Sequence, residues 1–172
     1  AATVAVDGSS DTALQDETGL VIGTTDTIRV MRIDAAGVPS LLTGSGLTGL
    51  NEVDDLLIST GPGDLVVEEA LVANNVLMLE SRDPAGNILI QADLTSASHL
   101  TVNAGGDVVQ DATLVSGDGT VFVQSREGSL TMLDGAVTET NGRNIRYAAS
   151  NDIILELLDA RTNDDRLAND EV

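Results

Sequence analysis

One pattern recurs along the chain: a turn residue, a polar residue, then apolar–x–apolar. It reads Gly63-Asp64-Leu65-Val66-Val67, then Gly86-Asn87-Ile88-Leu89-Ile90. It returns as Gly106-Asp107-Val108-Val109, Gly128-Ser129-Leu130-Thr131-Met132 and Asn151-Asp152-Ile153-Ile154-Leu155. The first apolar positions are 65, 88, 108, 130 and 153, so the steps are 23, 20, 22 and 23. A second series runs between these, beginning at Leu56, Val76, Leu100, Val121 and Ile145. A third, weaker one is Leu71, Leu94, Leu114, Val137 and Ala160. Three phases share one period of about 22 residues, the mark of a repeat architecture.

Apolar–x–apolar alternation predicts short strands with one buried face. Val, Ile, Leu and Thr dominate them, as a pleated surface prefers. Gly, Asn, Asp and Ser separate them, as turns require. The predicted fold is all-β: a parallel β-helix (β-solenoid) with about 22 residues and three short strands per coil. Leu65, Ile88, Val108, Leu130 and Ile153 form one predicted inward column. Leu56, Val76, Leu100, Val121 and Ile145 form another, with Met78, Val102, Val123 and Tyr147 also inward. Phe122, Thr101 and Arg146 point out. Only residues 49–57 offer a helical rival, and their spacing from Leu65 argues for a strand beginning at Leu56.

The expected organisation is one β-solenoid over residues 1–161. Residues 1–50 form irregular coils with longer loops, and residues 51–161 form regular ones. Within the first part, Ala2 to Val6, Leu20 to Ile22, Ile28 to Ile33 and Val38 to Leu42 read as strands. Arg32-Ile33-Asp34-Ala35-Ala36-Gly37 echoes Ser81-Arg82-Asp83-Pro84-Ala85-Gly86, which predicts that the solenoid continues there, with an insertion near residues 43–50. Residues 162–172 read as a polar acidic tail that frays.

The run from Gly86 to Arg161 resembles repeat segments of giant bacterial surface proteins, the filamentous-haemagglutinin-like and multi-repeat adhesin-type β-solenoids. The Gly105-Gly106-Asp107-Val108 and Gly128-Ser129-Leu130-Thr131-Met132 turns carry the resemblance. Asn144-Ile145-Arg146-Tyr147-Ala148-Ala149, Leu157-Leu158-Asp159-Ala160-Arg161 and Gly19-Leu20-Val21-Ile22-Gly23 add to it. The resemblance implies a right-handed helix, an extracellular or bacterial cell-surface location, and structural or adhesive duty. It brings no catalytic residues with it.

Charge narrows the partners. The 172 residues hold eight Arg, no Lys and 28 Asp plus Glu, a net charge of −20. Nucleic-acid binding needs a basic face, so it is excluded as a partner class, and anionic membrane surfaces are disfavoured. No apolar run reaches the roughly 18 residues of a membrane helix. There is no cysteine, hence no thiolate chemistry, and the single His99 reads as a surface turn residue. Neither a nucleophile elbow nor a triad is present. Asp54-Asp55, Glu68-Glu69 and Asp164-Asp165 are carboxylate pairs of the kind glycosidases use. Two aromatics in the whole chain, Phe122 and Tyr147, offer little platform for sugar rings.

Calcium takes six to eight oxygens, which acidic turns can supply. On residue type the candidates are Asp7, Asp11, Asp118, Asp164 and Asp165, with a solvated acidic surface as the preferred reading. No cofactor is expected, and none of these turns matches a known calcium-loop motif. The sequence reads as a non-catalytic structural module of an extracellular fibre or cell-surface adhesin. The alternative is a carbohydrate-binding or polysaccharide-cleaving β-helix. A solenoid has two open ends, and no amphipathic helix reads as a cap. Expected partners are therefore other copies, by head-to-tail or strand-addition contacts, or neighbouring repeats of a longer chain.

Overall fold

The computed structural model describes residues 2–4, 6–7, 12–24, 28–33, 39–44 and 50–168, with side chains described for 12–24 and 54–167. The chain coils through three faces in a fixed order. The first coil is β1 (Ala2–Val4), β2 (Val6–Asp7) and β3 (Thr12–Asp16). The second opens with β4 (Leu20–Ile22) and is interrupted by β5 (Ile28–Ile33) and β6 (Pro39–Gly44). It then closes with β7 (Leu50–Val53) and β8 (Leu56–Thr60). Regular coils follow: β9 (Leu65–Val67), β10 (Leu71–Ala73) and β11 (Leu77–Ser81), then β12 (Ile88–Ile90), β13 (Leu94–Ser96) and β14 (Leu100–Ala104). Next come β15 (Val108–Gln110), β16 (Thr113–Ser116) and β17 (Val121–Ser125), then β18 (Leu130–Met132), β19 (Val137–Thr140) and β20 (Ile145–Ala149). The chain ends its coiling with β21 (Ile153–Ile154), β22 (Leu157–Asp159) and a short helix α1 (Asn163–Ala168).

Equivalent strands stack in parallel into three sheets. Sheet A runs β1-β4-β9-β12-β15-β18-β21, sheet B runs β2-β7-β10-β13-β16-β19-β22, and sheet C runs β3-β8-β11-β14-β17-β20. The fold is a β-solenoid of roughly 23 residues per coil. Inward positions alternate with outward ones along each strand, as the buried–intermediate–buried pattern of β9 to β15 shows. Leu65, Ile88, Val108 and Leu130 are fully buried and in mutual register. Each such Leu or Ile contributes about 1.5–3 kcal/mol by leaving water.

Two phases differ from the sequence reading. Leu77, not Val76, pairs with Leu56 and Leu100, so Leu77 and Leu79 point inward and Met78 outward. Val76-Leu77-Met78-Leu79 is apolar throughout, so alternation alone cannot choose a phase. The length of the Asn74-Asn75 turn chooses it. In sheet B, Leu114 pairs with Thr138 and Thr138 with Leu158, so Val137 and Ala160 are not the column members. A buried Thr138 there replaces the apolar residue that the pattern anticipates. Phe122, Thr101 and Arg146 lie in one outward register, as predicted.

The first coils also differ. β5 and β6 pair with each other, antiparallel, from Ile28↔Gly44 to Ile33↔Pro39, and join none of the three sheets. The echo between residues 32–37 and 81–86 therefore does not mark a further coil. The insertion is a hairpin between β4 and β7. β3 is a strand that the sequence pattern did not reveal. The acidic tail is helical over α1, a helix that was not anticipated.

Candidate functional site

The polar residues entering sheet A form a ladder. Asp64 Oδ1 accepts the Asn87 N–H (2.9 Å), Asn87 Oδ1 accepts the Asp107 N–H (2.7 Å), and Asp107 Oδ1 accepts the Ser129 N–H (2.7 Å). Each side chain thus ties its coil to the next. The same use recurs elsewhere: Asp93 Oδ1 accepts the Thr113 N–H (2.9 Å), and Asp55 Oδ1 accepts the Val76 N–H (3.2 Å) and Asn75 Nδ2 (2.7 Å). His99 is exposed, and its Nδ1 accepts the Thr120 N–H (3.2 Å). Glycine keeps the coils close at these turns. Gly63 has φ +105°, and a Cβ there would collide with the Thr18 carbonyl of the preceding coil.

The calcium candidates separate into three groups. Asp118 and Asp164 line one depression of about 520 Å³, with Asn141, Gly142, Arg143, Thr162 and Asn163. The Arg143 guanidinium lies in the same depression, donating from Nε to the Asp118 carbonyl (3.0 Å), and a fixed cation there opposes a second one. Asp165 accepts the Thr162 hydroxyl (2.6 Å) while its N–H donates back to Thr162 Oγ1 (3.1 Å), a cap for α1. Asp11 lies outside the described residues, as does the side chain of Asp7, whose backbone is in β2. Among the described residues no group of three or more His, Asp or Glu is placed to hold a metal ion.

The C-terminal corner is held by charge. Asp159, buried in β22, receives Arg161 Nη2 at 2.8 Å and Arg166 Nε at 2.9 Å. These guanidinium hydrogen bonds, with the Arg161 N–H, hold its carboxyl well below the usual carboxylate range. Arg166 Nη2 also donates to the Thr140 carbonyl (2.8 Å), satisfying a sheet B acceptor beyond the last paired residues. Inside the same coils sits a polar knot. Gln110 is fully buried and donates to the carbonyls of Ala112 and Val137 (both 3.0 Å), while Tyr147 Oη donates to Gln110 Oε1 (2.7 Å). Burial pushes the Tyr147 phenol up to about 12.

The last strand of sheet A is more exposed than the column it continues. Ile153 continues the column of Leu65, Ile88, Val108 and Leu130, yet it is 42% exposed because no described strand lies beneath it. Ile154, Leu155 and Leu157 are exposed beside it. β20, β21 and β22 are the edge strands of their sheets at this end, and β1, β2 and β3 at the other. No helix among the described residues is long and apolar enough to cross a membrane. The fold defines the described residues as a β-solenoid. No family model, curated protein or solved structure matches the chain.

Proposed function

We propose that the protein is a non-catalytic structural module, a segment of a stacked rod belonging to an extracellular fibre or cell-surface adhesin. One observation carries this reading: a series of acidic and amide side chains at the turns is spent on joining coil to coil. Asp64, Asn87, Asp107, Asp93 and Asp55 all accept backbone N–H groups of the following coil. The resemblance of residues 86–161 to surface-protein repeats supports the location. Calcium is left out of the reading, because Arg143 shares the depression of Asp118 and Asp164. Calcium is accordingly expected to leave the melting temperature unchanged, in the wild type and in Asp118→Ala alike. A polysaccharide array tests the class. A structural module leaves every glycan unbound and uncleaved, whereas saturable binding to one would replace this reading with the carbohydrate-active one.

A further inference from the structure

We propose that the outer face of sheet A docks a basic amphipathic α-helix of a partner protein, lying along the solenoid axis. Such a face goes beyond the structural-module reading, adding a lateral binding surface to the coils.

Between the inward positions of sheet A, one residue per coil points out. These residues stack as Val21, Val66, Leu89, Val109 and Thr131 in continuous register, each partly exposed. They form an apolar stripe on the outside of the solenoid, about 19 Å long at 4.8 Å per coil. The other two faces carry no such stripe. On sheet C the outward row Met78, Thr101 and Phe122 runs into Arg146. On sheet B the outward row Thr95 and Val115 runs into Glu139.

Charge selects the occupant. Alternation turns the residues two before and two after each stripe position outward as well. Asp64 and Glu68 flank Val66, and Asp107 and Asp111 flank Val109. All four are exposed, and none is in an ion pair among the described residues. None of the six arginines between residues 54 and 167 falls in these rows. Uncompensated carboxylates on both sides of an apolar stripe complement cations on both sides of another. A helix has that shape, with an apolar stripe flanked by positions from which Lys or Arg stems reach sideways. A strand does not, because its alternate side chains point away from the sheet. The acidic pairs on β9 and β15 are two coils, about 10 Å, apart. Residues seven apart on one helix face are about 10.5 Å apart, and about 13 helical residues span the stripe. A second copy does not supply this helix. The chain has no Lys, and α1, the one helix among the described residues, is six residues long with Asp164 and Asp165 in its first turn.

The test uses a synthetic peptide of about 14 residues, with Leu along one helical face and Lys seven apart on both flanks. Its binding is followed by fluorescence anisotropy. The peptide is expected to bind saturably, to gain helical circular dichroism on the protein, and to bind more weakly as salt is added. Glu68→Gln with Asp111→Asn removes one carboxylate from each acidic pair and leaves the coil-joining Asp64 and Asp107 in place. This double variant is expected to bind about fivefold more weakly, and Leu89→Ser about fivefold more weakly through lost apolar contact. Asp118→Asn with Glu139→Gln removes the same charge away from sheet A and is expected to stay within about twofold of the wild type. The same composition in scrambled order has no apolar stripe and is expected to lose saturable binding. Circular dichroism of each variant separates lost binding from lost fold; if Leu89→Ser is unfolded, the exposed carboxylate variants carry the comparison. No binding of the ordered peptide, binding without a gain of helix, equal binding of the scrambled peptide, or equal loss from the off-face variant would overturn the proposal.

Discussion

At the turns into β12, β15 and β18 a single side-chain oxygen closes a hydrogen bond that the strand ladder leaves open. Asn87 is the middle member, accepting the Asp107 N–H at 2.7 Å while its own N–H goes to Asp64. Asn87→Ala removes the acceptor of the exposed Asp107 N–H, which costs on the order of 0.5–1.5 kcal/mol. For a chain of this size that lowers the melting temperature by roughly 2–4 °C, readable by calorimetry. Tyr147 gives a second, cleaner signal. The chain has no Lys or Cys and only one Tyr, so Tyr147 is the only side chain titrating between about pH 9 and 12. Its folded value of about 12 lies above the ordinary 10. The folded state thus holds a proton that the unfolded state has released. The contribution is intact below pH 10 and is lost as pH rises through 12, on the order of 2–3 kcal/mol. Denaturant midpoints measured from pH 9 to 12 should fall in the wild type. They should stay level in Tyr147→Phe, which starts lower because Gln110 Oε1 loses its donor.

At the scale of elements, the strand phases show what the sequence could and could not disclose. Sheet A was legible from β9 to β18 because Gly-Asp, Gly-Asn and Gly-Ser turns pin the phase of the strands that follow them. Sheet C was legible except at residues 76–79, where four apolar residues in a row leave the phase to turn length. Sheet B slipped at Val137 because a hydroxyl, Thr138, occupies the interior beside Gln110 and Tyr147. The strands β5 and β6 were legible, but their pairing was not: alternation reads the same in a hairpin as in a coil. α1 has only six residues, too few to hold as an isolated helix. Asp159 and Arg166 fasten it, a long-range cause that no local pattern carries. The corrected phase of sheet C is directly testable. Leu77→Asp buries an unpaired charge and is expected to abolish cooperative unfolding, whereas Met78→Asp, on the outer face, shifts the melting temperature by only a few degrees. Equal damage from both would refute the register. Of the calcium candidates, the sequence supplied acidic turns but not neighbours, and Arg143 is the neighbour that matters. Ile153 was legible as a column member.

At the scale of the whole molecule, sheets A and B each hold seven strands, so the described stack spans only about 30 Å along its axis at 4.8 Å per strand. In the proposed rod, a span of this length is one segment. Net charge of −20 makes copies repel one another, and added salt screens that repulsion. The most direct measurement is residue-resolved amide hydrogen exchange on the purified chain. The account predicts strong protection at Ile88, Val108 and Leu130 alike, whose N–H groups bond carbonyls of the next coil. Rapid exchange at these positions would contradict the stacked ladder.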